Sequence, residues 1–594
     1  MGPKNKAPAS SMPGGNDSKE DKLLQAVVIA DSFDSGFAPL SHHLPRCLFP
    51  LANRPLIDYT LSALSASGAV AEIFVYCTSH AQSIKDHIAA SWARNGPVPV
   101  SVVTNENCHS FGDAMRDLDA KGVLRHDFVL TSGDVVTNMR LAGVAEAHRA
   151  ACAADPNAAM TLVYKRCAPG HPTRTARREM VVATAANQSP VSAAGEAKGS
   201  SRVVFHRRGV DASKVELPLE VFEGHPCVSV RFDLSDPFLA VCTPAVPPLF
   251  ADNFDCQTLD DLVHGVLEND LIDSTLYMHE VEEHYGARIS DPMTYLAVSR
   301  DVMARWTFPL VPDLMDAEEG EEGYVHCRKS IYKGAGIKLG KGSVLEESVV
   351  LGRGCFVGEG AVVAKSCIGE DVKIGKGASV KNCVVFGGVT IGDGVRVEGC
   401  LLGRGVSVGA GTVLGERCVL GDSVRVDAGK RVPAGTKLVR QLDDDGFGDE
   451  ECEEKKQPES EYGQFAIPFV DDEDEDSDSD AGSEKGVKGG DAAWGSVLGP
   501  EEIGDGDSES SDSDDSDFSD FGDQTDILDD EDAKVSVFHR EVLESMQRGF
   551  AEGINADNLS LEINSSRHAY AATAQQGRHS VIQFCTGLPA PALT

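Results

Sequence analysis

Aliphatic residues return at almost every sixth position between residues 339 and 426, and most are followed directly by glycine. The pairs run Leu339-Gly340, Leu351-Gly352, Val357-Gly358, Ile368-Gly369, Ile374-Gly375, Ile391-Gly392, Leu402-Gly403, Val408-Gly409, Leu414-Gly415 and Leu420-Gly421. A helix repeats every ~3.6 residues and a strand every two, so neither explains the spacing. A coil with three flat faces, each giving one inward aliphatic, does. The pattern predicts a left-handed parallel β-helix within residues 330–440, with roughly eighteen residues per coil and about five coils. Glycine behind the inward residue would serve the corner by accepting backbone angles that a Cβ penalises. The steps after Val363, Phe386 and Val397 are five residues long, so the register is expected to slip there. A flexible Gly-rich linker keeps no such period.

Upstream the pattern changes. Gln25-Ala26-Val27-Val28-Ile29-Ala30 is a short apolar run with β-branched residues, which predicts a buried parallel strand. Residues 50–61 lead into a helix, a second strand is expected at residues 72–77, and a third at residues 127–130, closed by Ser132-Gly133-Asp134. Strands alternating with helices predict an open α/β sheet over residues 24–313, with its ligand crevice at the carboxyl ends of the strands. Downstream, residues 441–532 are dominated by Asp, Glu, Ser and Gly and read as an acidic disordered linker. Residues 533–594 read as the start of an α-helical domain. Phe538, Val542 and Met546 recur at i, i+4 and i+8, Asp557 caps a second helix, and the helical period is lost after Tyr570. Residues 1–23 read as a disordered tail. Its Met1-Gly2 start invites myristoylation, but Lys6 stands where Ser or Thr is wanted.

At 594 residues the chain exceeds a single core, so two to four domains are expected. The net charge of −39 argues against nucleic acid or an anionic membrane as a main partner, although the acidic excess is concentrated in residues 441–532. No apolar run approaches membrane-spanning length, and sixteen cysteines lack Cys-x-x-Cys pairs. Both features favour a cytosolic protein with reduced thiols. Cys355, Cys367, Cys383, Cys400 and Cys418 recur about once per coil, either as small residues stacked in the solenoid or as a metal ladder. His42-His43 and the other histidines lack ligand partners at usable spacing, so no metal and no cofactor are expected. The Ser/Asp/Glu run at residues 508–515 is either a phosphorylation target or a solvated spacer, and Phe518-Ser519-Asp520-Phe521-Gly522 could dock a partner.

A strand, a loop, Pro45-Arg46 and then Pro-Leu-Ala-Asn-Arg-Pro-Leu-Ile at residues 50–57 resemble the opening of sugar-phosphate nucleotidyltransferases, which often carry a β-helix behind such a domain. That resemblance implies a Gly-rich loop against the phosphates, a lysine after the first proline and two aspartates holding Mg²⁺. The chain departs at most of these points. Ala30-Asp31-Ser32-Phe33 replaces the glycine loop, so Asp31 and Phe33 would repel and obstruct phosphates. Arg46 replaces the lysine. Asp134 matches the first metal aspartate, and Arg288 stands at the second if Pro292 and Tyr295 mark the following motif. The expected outcome is a nucleotidyltransferase-like domain with a degenerate nucleotide site.

Four further motifs, taken in order, are similar to the epsilon subunits of eukaryotic translation initiation factor 2B. They are His171-Pro172-Thr173-Arg174, Asp252-Asn253-Phe254-Asp255, Tyr285-Gly286-Ala287-Arg288 and Arg305-Trp306-x-x-Pro309-Leu310. The resemblance implies a subunit of the guanine-nucleotide exchange factor acting on GDP-bound translation initiation factor 2, assembled with gamma, alpha, beta and delta subunits and touching neither nucleic acid nor membrane. It implies that Asn253 and Phe254 contact the GTPase. Thr258-Leu259-Asp260-Asp261 is a capping box, so the pair would precede a helix and project; the alternative is that Phe254 packs into the core and Asn253 bonds a turn. It implies that Glu562 is the catalytic glutamate of a helical exchange domain, against the alternative of an ordinary solvated helix glutamate. Two helices are too few for a helical-repeat domain, so a truncated domain and weak exchange are expected. Two other readings stay open: an active mannose-1-phosphate guanylyltransferase and a purely structural subunit.

Overall fold

The computed structural model describes residues 23–440 apart from 93–95, 169–170, 175–179, 186–199, 209–216, 219–220, 222–224, 226, 270 and 316–322, together with residues 462–463, 466–469 and 581–585. The amino-terminal tail, most of the acidic region, both expected carboxyl-terminal helices and Glu562 lie outside the described residues.

The strand Leu24–Ile29 forms the centre of the first domain, pairing in parallel with Val70–Cys77 on one side and Phe128–Ser132 on the other. Alternate residues of this strand enter different cores. Ala26 and Val28 meet Ile57, Leu61, Ile84 and Val144, whereas Val27 and Ile29 meet Met115, Leu118, Phe250 and Leu262. Helices therefore cover both faces, which is why the strand reads as an unbroken apolar run rather than an alternating one. Beyond Phe128–Ser132 the sheet continues antiparallel through Leu234–Cys242 and Ala158–Arg166. It reaches eleven strands, the last being Val581–Cys585 paired with Cys227–Arg231. The described part of residues 571–594 is thus a strand.

Residues 331–439 form three parallel sheets wound as a solenoid, with six strands on each of two faces. On one face the six strands run from Lys338–Leu339 to Arg425–Val426, so the five repeat lengths read within residues 339–426 are the intervals between six strands. The inward column is continuous: Val357 stacks on Ile374, Ile374 on Ile391 and Ile391 on Val408. Two details differ from the sequence reading. The short steps follow Val363, Val380 and Val397, all at one corner. Phe386 does not point inward; Val385 does, and Phe386 faces the first domain. The glycines directly behind the inward aliphatics also serve a different purpose. At Gly375 a Cβ would lie 2.4 Å from the backbone of the next coil, so close approach of the coils selects glycine there. Positive φ occurs two residues later, as at Gly377 (φ 63°).

One face of the solenoid is covered by the first domain. Tyr332, Val350, Cys367, Val384, Phe386, Leu401 and Val419 share a single buried cluster with Phe37, Phe49, Leu51, Tyr295 and Val302. The Phe49 and Phe386 rings meet edge to face at 5.6 Å. Asn53 donates to the Ile368 carbonyl and the Tyr324 hydroxyl, both at 2.9 Å, and the Tyr332 hydroxyl donates to the Met303 carbonyl at 3.0 Å. The Pro-Leu-Ala-Asn-Arg-Pro segment therefore seats the two domains against each other. The cysteines on the solenoid are buried, and Cys400 and Cys418 donate to backbone carbonyls of the following coil at 3.0–3.1 Å.

The acidic region is not uniformly outside the fold. Ile467–Pro468 adds an antiparallel strand to Lys437–Val439, and Tyr462 and Ala466 enter the solenoid core. Tyr462, Ala466 and Ile467–Pro468 return to cap the last coil, because an uncapped solenoid end would expose its core to water.

Candidate functional site

The crevice lies where an open α/β sheet places one, at the carboxyl end of Leu24–Ile29 between its two parallel neighbours. A cavity of about 560 Å³ opens there, lined among others by Asp31, Phe33, Asp34, Phe238, Asp260 and Arg288. A neighbouring hollow of about 290 Å³ runs past Asp31, Phe33 and Arg46. Of the five residues assigned from sequence to the degenerate nucleotide site, Asp31, Phe33, Arg46 and Arg288 line these hollows, and Asp134 joins them through Arg46 and Arg288. Asn253 and Phe254 lie on a separate loop, and Glu562 is outside the described residues.

Asp31, 8% exposed, takes the second loop position and accepts from the Thr78 N–H and the Ser79 hydroxyl, tying this loop to the one after Val70–Cys77. Phe33 has φ 53° and packs against the core containing Ile29 and Phe111. A phenylalanine in the left-handed region is costly, so its neighbours hold it there.

Asp134 follows Gly133, whose N–H donates to the Ile29 carbonyl at 2.8 Å; a Cβ on Gly133 would sit 3.0 Å from Cys47. This close seating buries Asp134 to 2% exposure. The pairing of Gly286–Arg288 with Val135–Thr137 sets Arg288 opposite Val135, and the Arg288 Nε donates to Asp134 Oδ1 at 2.9 Å. On the other side, Arg46, 3% exposed, donates to Asp134 Oδ2 at 3.3 Å and also pairs with Asp34. Burial pushes the Asp134 carboxyl up, but Arg288, then Arg46, outweigh it and hold its pKa below the usual value. Each guanidinium also lies over a ring, Arg46 over Phe37 at 4.8 Å and Arg288 over Phe238 at 4.2 Å.

The lining of the cavity is mainly acidic among the described residues. Four carboxylates line it (Asp31, Asp34, Asp260, Asp291) against two guanidiniums, and both of those are paired. Arg288 is paired with Asp134, while Arg208 bonds Asp236 at 2.6 Å and meets Asp260 at 2.9 Å. A Mg²⁺ ion at Asp134 would stand beside two cations, which the residues present do not accommodate. Sequence reasoning missed Asp34, Phe238 and Arg208, whose roles depend on tertiary placement and leave no local signal.

The Asn253-Phe254 pair sits between the helices Val246–Asp252 and Leu259–Glu268. The second begins with the expected capping box, Thr258 and Asp261 bonding each other's backbone N–H. Phe254 is 71% exposed, so it does not pack into the core, and the Asn253 side chain accepts from the Asp255 N–H at 3.1 Å. The Arg116 guanidinium lies 5.3 Å from the Phe254 ring centroid.

Residues 26–170 match the family model described as Nucleotidyl transferase, and residues 328–432 match that described as EIF2B subunit epsilon LbH domain. The fold and site thus define a nucleotidyltransferase-like domain joined to a left-handed β-helix. Over 336 residues, 56% of this chain and 45% of the relative, it is 38% identical to Translation initiation factor eIF2B subunit epsilon of Dictyostelium discoideum. Over 370 residues, 62% and 50% respectively, it is 36% identical to the protein of the same name from Schizosaccharomyces pombe. The chain is similar to these eIF2B epsilon subunits and spans about half the length of the curated relatives it matches. A Sulfolobus acidocaldarius protein, described provisionally as a mannose-1-phosphate guanyltransferase, is 28% identical over 129 residues, 21% of this chain and 34% of that one. No described helix is long and apolar enough to cross a membrane.

Proposed function

We propose that this chain is an epsilon-type subunit of the guanine-nucleotide exchange factor for translation initiation factor 2, and that its front domain has given up nucleotidyl transfer to become a scaffold. The observation that carries the second part is the pair of guanidiniums on Asp134, which place cations where a transferase needs a divalent metal. The likeness to eIF2B epsilon subunits across both domains supports the first part. It outweighs the short, less similar match that favours the mannose-1-phosphate guanylyltransferase reading.

On this reading the two domains, seated on one buried cluster, act as a rigid body for assembly with gamma, alpha, beta and delta subunits. The solenoid face bearing Lys373 and the face bearing Arg396 both present exposed residues for such contacts. Asn253 and Phe254 engage the GDP-bound GTPase from an exposed loop, and Glu562 drives exchange from the carboxyl-terminal region. The protein works in the cytosol, without direct nucleic-acid contact. An exchange factor lowers its target's affinity for GDP, so by linkage GDP must lower the target's affinity for the factor by the same ratio.

Co-expression with the four partner subunits, followed by a GDP-release assay on initiation factor 2, tests the proposal. Stable co-purification supports it, and the release rate reads how much exchange the chain itself contributes. Failure of the chain to enter the assembly overturns it.

A further inference from the structure

An exposed phenylalanine is seldom held still, because burial normally provides the contacts that fix a ring. Phe254 is an exception. Arg116, on the helix Phe111–Lys121, donates through one terminal nitrogen to the carbonyls of Phe250 at 3.1 Å and Cys256 at 3.3 Å, on either side of the Asn253-Phe254 pair. Its other terminal nitrogen donates to Asp113 at 2.9 Å, which fixes the plane of the guanidinium. The same group covers one face of the Phe254 ring. The helix start reinforces the hold: the Gly112 N–H donates to the Gln257 carbonyl at 2.9 Å, and a Cβ on Gly112 would lie 2.1 Å from the Cys256 carbonyl oxygen. The Gln257 side-chain amide closes the turn on the Phe254 carbonyl at 2.7 Å.

We propose that Arg116 is the positioning residue for Phe254, fixing the loop at both ends and backing the ring so that its other face is presented to the GTPase. This rests on the reading that Phe254 contacts that GTPase. A loop ordered before binding loses less conformational entropy on binding. Arginine suits the task because its planar fork serves two carbonyls, a carboxylate and a ring at once, whereas an ammonium group is a point donor.

The test is a double-mutant cycle on the full chain in its assembly, measuring affinity for GDP-loaded initiation factor 2, with amide exchange of residues 253–257 followed in the absence of that factor. Arg116→Ala is expected to weaken binding about tenfold, and Arg116→Lys to weaken it similarly. The Arg116→Ala/Phe254→Ala pair should bind no worse than Phe254→Ala alone, and exchange at residues 253–257 should speed up in both Arg116 variants. Additive losses, or unchanged exchange, overturn the role of Arg116. If Phe254→Ala leaves binding intact, the contact reading falls, while the exchange measurement still decides whether Arg116 holds the loop. Should Arg116→Ala fail to fold, Arg116→Lys carries the same comparison.

Discussion

Arg288, which lines the crevice, and the buried Asp134 lie 154 residues apart in sequence and are joined by a 2.9 Å hydrogen bond. Arg46 closes the other side of the same carboxylate. A carboxylate buried to this degree is stable only because it is paired, so the three side chains act as one unit.

Asp134→Asn should therefore cost about 3 kcal/mol, because it leaves two guanidiniums short of their counter-charge. The sign of the pH dependence follows from the direction of the shift. The folded pKa of Asp134 is lowered, so its contribution is present above the unfolded value of about 3.9 and is lost as pH falls through the folded one. Denaturant melts should show the full gap between the native chain and the Asn variant at pH 7 and a shrinking gap below about pH 4. A gap that stays constant to pH 3 would contradict the assignment.

Phe386→Ala should destabilise by about 3–5 kcal/mol, since it empties the cluster between the domains rather than the solenoid core. Limited proteolysis should then release the solenoid from the front domain sooner than for the native chain. A loss of order confined to the solenoid would place Phe386 inside the coil instead.

Phe386 also shows where the hydrophobic period stops being informative. The six-residue repeat fixes that there are three faces, but at Val385-Phe386 two apolar neighbours compete for the inward place. Only the partner surface, Phe49 and Tyr295, decides between them. The three parallel strands were readable to within about two residues, and the positions of Asp31, Phe33, Arg46, Asp134 and Arg288 were readable because each follows a strand or a motif directly. Asp34 beneath Arg46, Phe238 beneath Arg288 and Arg116 behind Phe254 were not, because each meets its partner only through tertiary contact. The cap formed by Tyr462, Ala466 and Ile467–Pro468 was hidden by its acidic surroundings.

Gly375→Ala should destabilise more than Gly377→Ala. The first forces a Cβ to 2.4 Å from the next coil's backbone; the second meets no atom within 4 Å and carries only the strain of a positive φ, about 1 kcal/mol. Melting temperatures of the two variants check the order, and the reverse order would return glycine's role at Gly375 to backbone angles.

Tyr462→Ala should open the end of the solenoid. Amide exchange at Asp427, whose N–H donates to the Tyr462 carbonyl at 3.1 Å, and along Lys437–Val439 should rise while the coils near Ile374 stay protected. Equal exchange in both regions would mean that Tyr462 and Ile467–Pro468 do not cap the coil.

The central claim is that the front crevice has exchanged nucleotide chemistry for an ion pair, and pyrophosphate release from GTP, Mg²⁺ and mannose-1-phosphate tests it most directly. The chain should release none above background, alone or assembled. Release that depends on Mg²⁺ and disappears in Asp134→Asn would contradict it.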